Sequence, residues 1–387
     1  MKKALSIMFA LLLLFLLPAC GGDEEEDDWG NDGDGGNGQD NNNNEAKEWE
    51  INLEETKIQH ITIGQNDEIY AAGYTTTNLY GDLSGNGKND PFLLLLNTKG
   101  EKLWGKQFEG ASSENNYVSE LSIDINGDIY FAIIEINPTI YKFSPDGTKI
   151  WEISLSQHFR RISRLKLDKS ENLLIVGDAV YPGNNSDIIR YSNQGKELQS
   201  YNISGDPSNP TQNNIDMQSL AVDSEGNIYA GGAVSGSLFA ENAGSIDAFL
   251  VKLAPDGTQL WGKQWGNSKT DMLQDIKIDD KNSIYTTGYS TEESTETFSK
   301  FDQDGNKMWG LTKIYTRLVI CGEAIYVIKG SRDINGQIDK YNLDGEYIGG
   351  STTFEKEPIY SIACDSKGNV YAVKEGALIK FSPSDFK

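Results

Sequence analysis

Between Ser219 and Trp265 the chain writes four short apolar runs, Ser219 to Asp223 (SLAVD), Asn227 to Gly232 (NIYAGG), Asp247 to Leu253 (DAFLVKL) and Gln259 to Trp265 (QLWGKQW). Their near period-2 spacing and the turn residues between them predict a four-stranded antiparallel meander. One such sheet cannot bury both of its faces. It must stack on further copies, and the chain supplies them.

The copies are counted on the second strand, where Tyr70, Tyr130, Leu174, Tyr229, Tyr285, Tyr326 and Tyr371 recur at intervals of 41 to 60 residues. That period is a propeller blade. The turn before this strand repeats as Asp124-INGD, Asp223-SEGN and Asp365-SKGN. An aspartate that hydrogen-bonds the turn backbone, with a glycine free to take positive φ, explains this repetition better than a metal site. The third strand carries a cation in six copies (Lys142, Arg190, Lys252, Lys300, Lys340, Lys380), with Leu95 in the first. A cation repeated around a ring is expected to be structural. Into the fourth strand, glycine precedes tryptophan by four residues at Gly100 and Trp104, Gly147 and Trp151, Gly257 and Trp261, and Gly305 and Trp309. Blades 3 and 6 hold Gln199 and Gly349 in place of tryptophan, so looser packing is expected at their outer edge.

The seventh copy ends at Lys387 before any fourth strand. Glu48 to Leu53 (EWEINL) parallels Ile150 to Leu155 (IWEISL), so the N-terminal strand is expected to complete the last blade and leave no open sheet edge. The fold class expected is all-β, a seven-bladed β-propeller over residues 47–387. The repeat Gly73 to Phe108 and the copy Met217 to Gly266 resemble the SBBP family of bacterial propeller repeats. The resemblance implies a seven-bladed propeller in an exported or surface protein and carries no enzymatic activity with it.

Ahead of the propeller, Met1 to Cys20 reads as a targeting segment, with Lys2 and Lys3 before the apolar run Ala10 to Leu17. Its end, Leu17-Pro18-Ala19-Cys20, resembles the lipobox of bacterial lipoproteins. That implies cleavage before Cys20 and lipidation of its thiol, tethering an otherwise soluble protein. Residues 21–46, with DEEEDD and then Gly, Asn and Asp, cannot form a core and read as an acidic disordered tether. An acidic run just after the cysteine is similar to a surface-export signal in lipoproteins of Bacteroidetes-like bacteria. The expected location is the bacterial envelope, at the outer membrane or cell surface.

The net charge of −24 argues against nucleic acid and against electrostatic binding to an anionic membrane. Setting aside the two lysines before Cys20 and the ten acidic residues in 21–46 leaves −16 on the propeller. His60 and His158 are the only histidines, so no multi-histidine metal centre is available, and no cofactor motif is present. Cys321 and Cys364 end innermost strands of neighbouring blades where other copies have aliphatic residues. They are expected as small buried hydrophobes; export would permit a disulfide, but adjacent blades usually hold such positions beyond the ~7 Å Cα limit.

Two function classes follow. The favoured one is a non-catalytic binding or scaffold module, monomeric, holding a protein or glycan partner on one propeller face; the other is an envelope enzyme of glycan-processing or quinoprotein type at the tunnel mouth. Fold alone does not choose between them. The connections of variable length, Tyr74 to Asp90, Glu109 to Val118, Gly205 to Asp216 and Ala233 to Asp247, fall on one face, where loops carry recognition. Tyr80 and Phe239 are expected to wall a site there. Aligning the innermost strands places His60, Glu120, Arg164, Ser219, Asp275, Arg317 and Ser361 at one level of the tunnel, with Glu120 beside Arg164 and Asp275 beside Arg317. These charged residues form the candidate ligand-binding floor.

Overall fold

The structure, a computed structural model, describes residues 47–387 except 54, 81–88, 109–116, 135–136, 181–185, 204–213, 293, 330–334, 352 and 356. The targeting segment 1–20, Cys20 and the tether 21–46 lie outside the described residues, as do most of the connections Glu109 to Val118 and Gly205 to Asp216. Among the described residues twenty-eight strands form seven four-stranded antiparallel sheets, and six of these are simple meanders in chain order. The seventh is composite. Trp49–Asn52 pairs with Ala377–Phe381 in the register Trp49 to Lys380 and Asn52 to Ala377, closing the ring with the N-terminal strand.

Seven apolar clusters fill the seven interfaces between neighbouring blades. The cluster joining blades 7 and 1 includes Trp49, Ile51, Tyr371 and Ile58, so the closure is packed as well as hydrogen-bonded. Both sheet faces are therefore apolar, and the second strands read as continuous buried runs such as Ile228–Val234.

In blades 2, 4 and 5 a clamp of four side chains ties the blade to the next. The turn aspartate accepts two backbone N–H bonds through one oxygen and the tyrosine hydroxyl through the other, as in Asp223 with Glu225, Asn227 and Tyr229. Asp124, Asp279 and Asp365 repeat this arrangement with Tyr130, Tyr285 and Tyr371. The third-strand cation lies over the tyrosine ring, at 4.9 Å for Lys142 and 5.0 Å for Lys300. Its ammonium reaches a carbonyl of the following blade, and the tryptophan indole N–H donates to the same oxygen: Lys252 and Trp261 to Gln303, Lys300 and Trp309 to Leu343. The turn glycines close the contact. Gly305 has φ +76°, and an added Cβ would stand 3.2 Å from the Trp261 ring, so the position excludes a side chain on two counts.

Blades 3 and 6 are not loosely packed at the outer edge. In blade 3 the Tyr201 hydroxyl donates to Pro255 O at 3.2 Å, and Arg190 bonds Asp168, Tyr201 and the same carbonyl. In blade 6 the ring of Phe386 occupies the tryptophan's place, while the terminal backbone lies where a side chain on Gly349 would project. Residues from elsewhere in the chain fill both gaps.

Cys321 and Cys364 form a disulfide across a Cα separation of 6.2 Å, rather than standing as separate thiols. Both end innermost strands, where neighbouring sheets approach each other most closely, and this brings the pair inside the bridging limit.

Candidate functional site

The innermost strand of each blade is a sheet edge, so every second backbone N–H points into the tunnel without a ladder partner. In six blades that strand also carries a β-bulge: between Ile58 and His60, Val118 and Glu120, Ile162 and Arg164, Met217 and Ser219, Leu273 and Asp275, and Tyr315 and Arg317. The residue after each bulge pairs with an equivalent second-strand position, His60 with Ala72, Glu120 with Ala132, Arg164 with Val176, and so on to Ser361 with Val373. His60, Glu120, Arg164, Ser219, Asp275, Arg317 and Ser361 thus occupy one level of the tunnel.

Three of the seven serve the backbone. Ser361 Oγ accepts from Ile61 N at 3.2 Å, Ser219 Oγ from Ile276 N at 2.9 Å, and Asp275 Oδ2 from Leu318 N at 3.1 Å, each bond crossing to the next blade. They cap the orphaned edge N–H groups and bolt neighbouring inner strands together. Asp275 is more committed still. Lys277 Nζ lies 2.9 Å and 3.0 Å from its two oxygens, and Ile276 N donates to Oδ1. Asp275 and Arg317 feel each other's charge as neighbours, while the ion pair of Asp275 is made with Lys277, two residues along the same strand and on the same side.

Glu120, Arg164, Arg317 and His60 make no such bolt among the described residues. Glu120 pairs with Arg164 as expected, but at 3.6 Å, and with Lys166 at 3.9 Å; its Oε2 is buried without a hydrogen bond. Arg164 of blade 3 spans the front of blade 4, where Ser219 is small, and donates to Gln274 O of blade 5 at 3.4 Å as well as to Ser163 O at 2.8 Å. The Arg317 guanidinium has no hydrogen-bond partner among the described residues. Lys166 and Lys277 form a second tier that the sequence alignment passed over, although position i+2 on an inner strand faces the same way.

The electrostatics agree with a crowded cationic lumen. Burial, together with Arg317, Arg164 and Lys166, pulls the His60 imidazolium down to about 3, although Glu120 opposes the shift, so His60 is neutral near pH 7. Burial and Arg164 lower Arg317 to about 10 against the pull of Asp275 and Glu120. Burial pushes the Asp275 and Glu120 carboxyls up, but the surrounding cations outweigh it, holding Glu120 below its usual value and Asp275 at about 2.

Tyr80 and Phe239 do not wall this lumen. The Tyr80 ring lies over Gly105 and the Phe239 ring over Gly262, where an added Cβ would meet them at 2.6 Å and 2.3 Å. Both glycines sit on fourth strands, three strand spacings or roughly 14 Å from the inner strand. Each loop is pinned by a glutamine. Gln107 Oε1 accepts from Leu79 N and Tyr80 N, and Gln264 Oε1 accepts from Leu238 N and Phe239 N. The two aromatics fill slots that the glycines leave in blade interfaces.

No family model and no curated protein matches the chain. Solved structures show what it is similar to in fold. A streptogramin B lyase matches with a TM-score of 0.58 at 13% identity, over 86% of this chain and 96% of that one. A catalytically inactive virginiamycin B lyase from Staphylococcus aureus with quinupristin matches at 0.58 and 11% identity, over 86% and 97%. The Dos1 propeller matches at 0.55 and 8% identity, over 87% and 95%. At these identities the likeness is one of fold: the chain is a seven-bladed β-propeller, and the SBBP resemblance rests on its repeat residues.

Proposed function

We propose that the protein is an exported binding module of the bacterial envelope, a monomeric propeller anchored by a lipid on Cys20 at the outer membrane or cell surface, which takes a protein or glycan partner at the tunnel mouth. The observation that carries this reading is the convergence of Glu120, Arg164, Arg317 and His60 in one lumen with hydrogen-bonding capacity to spare, notably at Glu120 Oε2 and Arg317. Purely structural lining would close its own bonds, as Ser219, Asp275 and Ser361 do. Export is supported by the disulfide between Cys321 and Cys364, which belongs to an oxidising compartment. A non-catalytic role is supported by His60: an imidazole with a pKa of about 3 is a weak general base near neutral pH. The lyases share the fold, and fold does not transfer activity.

The test has two arms. Cells expressing the protein and its Cys20→Ala variant are labelled with palmitate; label in the first and none in the second is expected, and equal label rejects the anchor. The purified protein is then applied to a glycan and peptide array alongside the Arg164→Ala/Arg317→Ala double variant. Binders lost in the variant are expected, and an unchanged binding profile rejects the tunnel mouth as the site.

A further inference from the structure

The lumen runs against the composition of the chain. The protein carries 58 acidic and 34 basic residues, yet the two tiers of the tunnel hold Arg164, Lys166, Lys277 and Arg317 against Glu120 and Asp275. Asp275 is spent on Lys277 and on backbone N–H groups. Glu120 is shared between Arg164 and Lys166 at distances too long for good hydrogen bonds. Among the described residues three cations then face one carboxylate, and His60 adds no charge. An excess of two positive charges among protein atoms is expensive unless an anion joins them.

The geometry says where it would sit. Arg164 is fixed across the lumen by the carbonyls of Ser163 and Gln274, leaving part of its fork unused, and Arg317 is unpaired among the described residues. The two guanidinium groups feel each other's charge. Planar forks of this kind match an oxyanion, each able to donate two parallel N–H bonds. Resting on the binding-module reading above, we infer that the tunnel ligand is recognised through an oxyanion group, a carboxylate or a phosphate, held between Arg164 and Arg317 with Lys166 in support. In a chain of net charge −24 such a ligand is not steered from a distance, so its affinity comes from contact and a small or terminal anionic group is favoured over a polyanion.

The experiment is calorimetric titration of the purified protein at pH 7 with inorganic phosphate and with glucuronate, at constant ionic strength set by chloride. Ring nitrogen shifts of the two histidines are recorded in parallel. His60 lies in the lumen, whereas His158 pairs with Glu197 away from it and serves as the internal control. Saturable binding of at least one anion is expected, moving the His60 signals and not those of His158. Arg317→Gln should weaken it about tenfold or more, the loss of a charge-assisted contact, and Arg317→Lys by less. A response to glucuronate alone assigns a carboxylate, and to phosphate alone a phosphoryl group. An unchanged His158 signal in the variants certifies their fold. The inference is overturned if neither anion binds, if the His60 response is the same in Arg317→Gln, or if chloride alone produces it. A neutral array ligand that binds the lumen without either anion competing would leave the binding module standing and remove the oxyanion.

Discussion

The Phe386 ring stands 4.7 Å from that of Tyr326, inclined at 62°, and so plays in blade 6 the part that Trp151 and Trp261 play over Tyr130 and Tyr229 at 5.9 Å and 6.0 Å. Lys340 lies over both rings, and Gly350 N donates to Lys387 O, so Phe386 and Lys387 are built into the outer wall. The missing tryptophan is replaced from 37 residues further along the sequence rather than left as a gap.

Phe386→Ala should therefore destabilise the propeller by about 3 kcal/mol, the lower end for emptying a buried aromatic site. Ile348→Ala, in the fourth strand of blade 6 but 49% exposed, should stay within about 0.5 kcal/mol. Urea unfolding of both variants checks the contrast. Equal, small effects would mean that Phe386 is not part of the wall.

The bridge between Cys321 and Cys364 closes a loop of 43 residues and joins blade 6 to blade 7, the blade that also receives the N-terminal strand. Loop entropy alone makes such a cross-link worth about 4 kcal/mol. Cys321→Ser with Cys364→Ser should lower stability by about that amount, and dithiothreitol should do the same to the parent protein and nothing to the variant. A reductant-insensitive parent would deny the bridge.

Most of the fold was legible because its signals repeat. The tyrosine, the turn aspartate, the third-strand cation and the glycine-to-tryptophan spacing each recur, and the structure joins them into one clamp. The site was legible only in part. Aligning inner strands found the ring, but nothing in the letters told that Asp275, Ser219 and Ser361 would be used by backbone N–H groups, because that depends on how each side chain meets the inner strand of the next blade, after a bulge at Ser219 and Asp275 and without one at Ser361. Lys166 and Lys277 could have been found by counting two residues on. For Tyr80 and Phe239 the signal was present and unread. The two blades with long aromatic loops are the two whose fourth strand reads Trp-Gly-Lys-Gln (Trp104 to Gln107, Trp261 to Gln264), and that glycine and glutamine receive the aromatic and tie its loop.

His60 sets a pH dependence whose sign is fixed by its surroundings. In the unfolded chain its pKa is near the ordinary 6.5; in the folded protein burial, Arg317, Arg164 and Lys166 hold it at about 3, with Glu120 opposing. Between those values the unfolded state binds a proton that the folded state refuses, so stability is full above about 6.5 and falls as the pH drops towards 3. At roughly 1.4 kcal/mol per pH unit the loss from pH 6.5 to 4.5 is about 2 to 3 kcal/mol. Asp275, with a folded pKa of about 2, contributes stability that is present above its unfolded pKa and lost only as the pH falls further, so it leaves this window clear. His60→Gln removes the titration and should flatten the curve from pH 6.5 to 4.5, whereas Arg317→Gln removes a cation that faces the imidazole, raises its folded pKa, and should end the decline at a higher pH with a smaller total loss. Urea midpoints measured at half-unit steps of pH decide it: a parent and His60→Gln variant that lose stability in parallel through that window would show that His60 is not the group responsible.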